Sequence, residues 1–225
     1  MINLDINIDK SLVVLSGGQD STTVLYYAKK QHKEVEVITF FYNQRHKKEI
    51  VRATRIANFA NVPINIVNAE FINKLSISAL TRDIPISQEK GELPNTFVDG
   101  RNLFFLSMAA VTAKQKGINV IYTGVSQSDY SGYPDCRRGF IDSLERTLCL
   151  GMDYNFSIVT PLMNLSKKQE VGMAVSLGPE CMKAIGMSWT CYEGGEKPCG
   201  ECPACVLRQK GFEAAGVKDP ALIEY

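Results

Sequence analysis

Ser16, Gly17, Gly18, Gln19, Asp20 and Ser21 form a small polar loop between two apolar stretches, Leu12 to Leu15 and Val24 to Tyr27. Adjacent glycines let the backbone turn several N–H groups toward one anion, and Ser16, Ser21 and Thr22 add hydroxyl donors. A helix opening directly after the loop would aim the positive end of its dipole at the same point. Phosphate is the ligand this pattern fits, against the plainer alternative of an ordinary strand-to-helix turn. The loop is not a Walker A motif, because no Gly-Lys-Ser/Thr follows it, and it is not the Gly-x-Gly-x-x-Gly dinucleotide fingerprint.

Four of the seven cysteines carry a second chemistry. Cys191, Cys199, Cys202 and Cys205 are spaced C-x7-C-x2-C-x2-C, with Gly194, Gly195 and Gly200 between them. Four thiolates can close a tetrahedron around Zn2+ and leave no position for water, so the site is expected to be structural rather than hydrolytic. An iron–sulfur cluster is the rival, but the ferredoxin run C-x2-C-x2-C-x3-C-Pro is broken here by Gln209. Cys149 and Cys181 read as helical core thiols, and Cys136 as a packing thiol.

Three further clusters follow strand ends or open helices. Phe97-Val98-Asp99-Gly100-Arg101-Asn102 turns into an apolar helix from Leu103 to Gln115. Arg101 would sit where the helix dipole disfavours a cation, which points to an anion nearby unless it is simply solvated. The stretch Gly124 to Arg137 holds Asp129, Tyr130, Tyr133 and Asp135 after the strand Val120 to Thr123. Its tyrosines can stack on a flat heterocycle, and its carboxylates can accept from the guanidine edge of a purine-like ring, although a decorated surface loop has the same letters. Lys167, beside the helix-opening Ser166, can neutralise a departing pyrophosphate or be a plain surface lysine.

These groups need elements to position them. Short β-branched runs at Leu12 to Leu15, Val35 to Phe41, Ile64 to Val67, Val120 to Thr123 and Ser157 to Val159 alternate with helical periodicity, as in Glu49 to Phe59. The pattern predicts α/β: a doubly wound parallel sheet with flanking helices over residues 1–185, and a small C-terminal zinc-binding knuckle over 186–225. A capping box, Ser166 with Gln169, opens a helix that Gly178-Pro179 closes. The stretch Phe71 to Pro94 is the least readable and is a candidate flap over the site.

At 225 residues, 45% hydrophobic, 22% charged and with a net charge of +1, the chain reads as an ordinary globular protein. It has no basic excess for nucleic acid, no apolar run long enough to span a bilayer and no secretory leader, so a cytoplasmic location is expected. In the knuckle, Glu193, Glu196 and Glu201 oppose Lys197 and Arg208, which argues against RNA.

The loop Ser-Gly-Gly-x-Asp-Ser resembles the pyrophosphate loop of the N-type ATP pyrophosphatases, adenine nucleotide alpha hydrolase-like proteins that cleave ATP between the α and β phosphates. With Leu15 to Thr23, Phe97 to Asn102, Asp129 to Arg137 and Cys191 to Cys205 taken together, the likeness narrows to the 7-cyano-7-deazaguanine synthase family and spans almost the whole chain. Asp99 stands where that family usually has proline, and Asn164 where a bulky residue is common.

The resemblance implies an ATP-dependent carbon–nitrogen ligase of queuosine biosynthesis, acting with Mg2+ on 7-carboxy-7-deazaguanine and ammonia through an adenylated acid and an adenylated amide. It implies that Leu15, Ser16, Gly17, Gly18, Gln19, Asp20, Ser21, Thr22, Thr23, Val24 and Leu25 hold ATP, that Asp20, Arg101 and Lys167 serve catalysis, and that Asn102, Asp129, Tyr130, Tyr133, Asp135 and Arg137 read the deazaguanine. It also implies one structural Zn2+ on Cys191, Cys199, Cys202 and Cys205, and a homodimer. A related ATP pyrophosphatase that modifies tRNA, of the thiolation or lysidine type, would share the loop and is the alternative.

Overall fold

The computed structural model describes residues 8–43, 48–82, 84–87, 93–127 and 132–222. Five strands form one sheet: β1 (Lys10–Val14), β2 (Glu34–Phe41), β3 (Ile64–Asn68), β4 (Val120–Tyr122) and β5 (Ser157–Val159). Their order across the sheet is β3-β2-β1-β4-β5, and each neighbouring pair runs parallel. The α/β reading is therefore realised. β1 begins two residues earlier than the apolar run suggests because Lys10 pairs with Glu34 in register, with an ion pair between their side chains at 2.8 Å.

Successive side chains of a strand face opposite sides, and in β1 both sides are apolar. Leu12 enters one core with Ile38, Leu106, Ala109, Ile141 and Leu144. Val13 enters the other with Val24, Ile56, Ala174, Ile185 and Phe212. The first core is roofed by α4 (Arg101–Gln115) and α5 (Arg138–Met152). The second is roofed by α1 (Gln19–Gln31), α2 (Lys48–Phe59), α6 (Lys167–Ser176), α7 (Pro179–Met187) and α8 (Pro203–Ala215). A short α3 (Phe71–Leu75) follows β3.

The capping box of α6 forms as its letters suggest: Ser166 Oγ accepts from the Gln169 backbone N–H, and the Gln169 side chain accepts from the Ser166 backbone N–H at 2.9 Å. Gly178-Pro179 closes α6 and also opens α7, since Gly178 is the residue before the first turn and Pro179 its first position. The same proline-first start recurs in α8 at Pro203, with Cys202 ahead of it and Gly216, at φ 66°, ending the helix. α8 lies close on α6, where a side-chain carbon at Gly211 would approach Lys167 Cβ to 3.0 Å. Among the described residues, no helix is long and apolar enough to cross a membrane.

The strand order fixes where a ligand can go. β1 leads through α1 to β2 on one side, and β4 leads through α5 to β5 on the other. The loops leaving their carboxyl ends therefore diverge and open a crevice between them. Its floor is tight, since a side-chain carbon at Gly124 would stand 2.9 Å from the Ser21 backbone nitrogen.

Candidate active site

The loop after β1 is wired by its own hydroxyls. Ser16 Oγ lies 3.0 Å from Ser21 Oγ, the Gly18 N–H donates to Ser16 Oγ at 3.3 Å, and Thr22 Oγ1 donates to the Gly18 carbonyl at 2.7 Å. Only the first glycine uses a left-handed conformation: Gly17 has φ 85°, while Gly18 is extended at φ −83° and precedes α1 with no side chain capping the helix. Leaving the first-turn N–H groups uncapped at a cavity wall is what an anion site requires.

A cavity of about 280 Å³ occupies the crevice. Leu15, Ser16, Gly18, Gln19, Asp20 and Ser21 line it from the β1 loop, Gly124 to Ser126 from the β4 loop, and Arg101, Asn102, Tyr133 and Lys167 from beyond. Gly17, Thr22, Thr23, Val24 and Leu25 do not line it. Gly17 is packed on α2, Thr23 Oγ1 donates to the Gln19 carbonyl, and Val24 and Leu25 are core residues. Two buried polar atoms at the cavity, Gln19 Oε1 and Ser126 Oγ, have no hydrogen-bond partner among the described residues. Buried polar atoms are rarely left so unless a ligand or water completes them.

Lys167 reaches the loop from the first turn of α6. Its Nζ lies 2.8 Å from Asp20 Oδ2 and 2.7 Å from Glu170 Oε2, with Glu170 only 1% exposed. Arg101 opens α4 after Gly100, which takes φ 72°. Burial opposes its charge, but the Tyr42, Asp135 and Tyr133 oxygens outweigh that and hold the guanidinium above its ordinary pKa. Burial likewise pushes the Tyr42 and Tyr192 phenols up. The anion that the position of Arg101 suggested is thus partly internal, because Asp135 stands beside it.

Asp135 also caps α4: its Oδ2 accepts from the Asn102 N–H at 3.1 Å, while Asn102 Nδ2 donates to the Asp135 carbonyl at 3.1 Å. A carboxylate at that helix start is favourably placed. Tyr133 is buried, with its hydroxyl 2.7 Å from Thr96 Oγ1. Arg137 is exposed and donates to the Gly132 carbonyl at 3.2 Å, away from the cavity. Asp129 and Tyr130 lie outside the described residues. Asp99 donates its N–H to Ser76 Oγ at 2.9 Å, a bond that proline could not make.

The cysteine knuckle adjoins the same cavity through Thr190, Tyr192 and Ala204. The Sγ atoms of Cys191, Cys199, Cys202 and Cys205 all lie within 4.8 Å of one another, and those of Cys199 and Cys205 are 4.0 Å apart. Zinc–sulfur bonds of about 2.3 Å give a tetrahedron with edges of about 3.8 Å, so the set fits a four-coordinate ion. Backbone N–H groups face the sulfurs, from Cys199 to Cys191 at 3.4 Å and from Cys202 to Cys199 at 3.3 Å. Such donors stabilise thiolates.

Arg208 of α8 locks this region: it forks onto Asp219 at 2.7 and 2.8 Å and donates to Ser188 Oγ at 2.8 Å and Thr190 Oγ1 at 3.0 Å. Arg208, Trp189, Ser126 and Tyr192 also line the cavity, with little in their sequence positions to mark them as site neighbours. Trp189, the single tryptophan, was the available signal beside Cys191.

Comparison with known proteins agrees with this layout. Curated proteins called 7-cyano-7-deazaguanine synthase match at 53% identity over 92% of this chain and 95% of theirs in Clostridium botulinum (strain ATCC 19397 / Type A), and at 51% over 94% and 96% in Clostridium acetobutylicum. Among solved structures, a predicted subunit of tRNA methyltransferase from Methanocaldococcus jannaschii superposes with a TM-score of 0.50 over 74% of each chain at 17% identity, a likeness of fold alone. The family model described as queuosine biosynthesis protein QueC matches residues 10–216, and the chain belongs to that family.

Proposed function

We propose that this chain converts 7-carboxy-7-deazaguanine and ammonia to 7-cyano-7-deazaguanine, driven by adenylation from ATP. The observation that carries the reading is the cavity itself, where the uncapped start of α1 faces Arg101 and Tyr133 across the crevice between β1 and β4. The curated relatives named for this activity support it.

The chemistry needs no nucleophile from the protein. A carboxylate oxygen of the substrate attacks the α phosphorus, pyrophosphate leaves, and the acyl adenylate is opened by ammonia to give the amide and AMP. The amide oxygen then attacks the α phosphorus of a second ATP with release of pyrophosphate, and loss of both protons from nitrogen and of AMP from carbon leaves the nitrile. In both rounds the start of α1 and the Ser16 and Ser21 hydroxyls take the departing pyrophosphate, and Lys167 and Arg101 offset its charge. Asp20 would hold Mg2+, which would supply positive charge to stabilise the pyrophosphate as it leaves.

Acyl adenylates hydrolyse, so the site must exclude water. Leu80, buried at the cavity wall, supplies part of that cover. Tyr133 would stack on the deazaguanine, while Asp135 and Asn102 act by fixing the start of α4. In the C-terminal region, Cys191, Cys199, Cys202 and Cys205 would hold Zn2+ with no open position, so the metal would hold structure, while α8 belongs to the main core through Phe212. The knuckle's acidic residues favour this small-molecule reading over tRNA modification.

Labelling tests the order of steps. With 18O in both carboxyl oxygens of the substrate, each adenylation should carry one labelled oxygen into AMP, leaving pyrophosphate unlabelled. Label in pyrophosphate would reject attack at the α phosphorus.

A further inference from the structure

Trp189 joins the two chemical centres of the molecule. Its backbone N–H donates to the Gly17 carbonyl at 2.9 Å, and its indole Nε1 donates to the carbonyl of Cys191 at 2.7 Å. The side chain is 2% exposed, and Lys48 Nζ sits 4.0 Å from the ring centroid while also bonding the Gly195 carbonyl in the knuckle. Arg208 holds the residues on either side, Ser188 and Thr190, through their hydroxyls.

The Gly17 carbonyl and the Gly18 N–H belong to one rigid peptide plane. Holding the carbonyl on Trp189 therefore sets the direction of the Gly18 N–H, which in turn holds Ser16 Oγ. Gly17 also lies close against α2, where an added side-chain carbon would stand 2.5 Å from the Glu49 carbonyl oxygen, so little free space surrounds this plane. Movement at Cys191 is thus transmitted to the phosphate loop by hydrogen bonds rather than through soft packing.

We propose that Trp189 is a positioning residue through which occupancy of the four-cysteine knuckle raises the affinity of the phosphate loop for nucleotide; the inference rests on the reading of that loop as an ATP site. Coupling between two binding sites is reciprocal, so nucleotide must tighten the knuckle's hold on its metal by the same factor. A knuckle that merely held the C-terminal chain in place would bind metal with an affinity indifferent to nucleotide.

The test uses the full-length zinc-loaded protein, a chelator and a colorimetric zinc indicator, with and without α,β-methylene-ATP, whose binding is measured separately by calorimetry. At equilibrium against the chelator, the nucleotide should raise the zinc affinity of the unaltered protein about tenfold, within the range usual for coupled sites. Trp189→Phe, which removes the indole donor to the Cys191 carbonyl but keeps the backbone bond to Gly17, should cut that factor at least about threefold. If that variant does not fold, Lys48→Met replaces it and should cut the coupling by roughly threefold.

Nucleotide that binds without raising zinc affinity in the unaltered protein would overturn the inference alone, as would full coupling retained in whichever variant is measured. Failure of the nucleotide to bind at all would remove the ATP-site reading along with it.

Discussion

The Lys167 ammonium, carried on the first residue of α6, lies 2.8 Å from the Asp20 carboxylate in the first turn of α1. The two residues are 147 positions apart in the sequence, so this contact ties a late element of the chain to the loop after β1. It also places the cation between a half-buried carboxylate and the buried Glu170.

Lys167→Ala should lose both turnover and stability. Removing the lysine leaves the Glu170 carboxylate buried beside a missing cation, a change that typically costs about 3–5 kcal/mol. Asp20→Asn keeps the fold, with a cost of no more than about 1 kcal/mol for this more exposed member, yet should lose at least about 100-fold in turnover. Thermal melts beside steady-state rates separate the two. Equal destabilisation by both substitutions would reject this division.

The two adjacent glycines should respond unequally. Alanine at Gly17 would need φ 85° and bring its Cβ to 2.5 Å from the Glu49 carbonyl oxygen and 2.8 Å from the Ala53 nitrogen, costing about 2 kcal/mol or more. Alanine at Gly18 meets nothing nearer than Ser16 Oγ at 3.4 Å and needs only an ordinary φ. Denaturant titration should find Gly17→Ala clearly less stable than Gly18→Ala, and the reverse order would contradict the packing of the loop on α2.

That asymmetry marks where sequence reading stops. The strand, loop and helix around Ser16, the capping box at Ser166 and the four-cysteine set are all local in the chain, and each was legible from residue types and spacing. What Gly17 packs against was not, because Glu49 and Ala53 reach it only once α2 folds over β1. That Asp135 caps α4 from 33 residues away is likewise invisible in its local stretch of polar letters. Arg137 shares a dense polar stretch with Tyr133, but a single 3-10 turn from Pro134 to Cys136 sends one side chain inward and the other to solvent. Helices α7 and α8 announce themselves only through a proline at the first position, a weak signal beside glycine-rich turns.

Stability should fall in alkali through a buried thiol. Burial pushes Cys181 up from its ordinary 9.0 to about 12, with Lys30 pulling in the opposite direction. The folded chain keeps a proton that the unfolded chain gives up, so the contribution is complete below pH 9.0 and is lost as pH rises toward about 12. Tyr26 and Tyr122, raised by burial from 10.0 to about 12, add to the loss only above pH 10.0. Urea unfolding at about pH 8 and about pH 10 should lose less stability in Cys181→Ala than in the unaltered chain. An identical decline in both would rule the thiol out.

Elemental analysis should find one zinc ion per chain. Cys202→Ala should lose that zinc together with solubility, whereas Asp20→Ala should retain zinc while losing turnover. Equal loss of zinc in the two variants would overturn the separation between a structural knuckle and a phosphate loop.

In the proposed reaction, the loop from Ser16 to Ser21 directs cleavage of ATP between its α and β phosphates. The most direct measurement incubates the protein with 7-carboxy-7-deazaguanine, ammonium and MgATP and resolves the nucleotide products alongside the deazapurine. AMP, pyrophosphate and the nitrile are the predicted products, and ADP with phosphate as the sole nucleotide products would contradict the account.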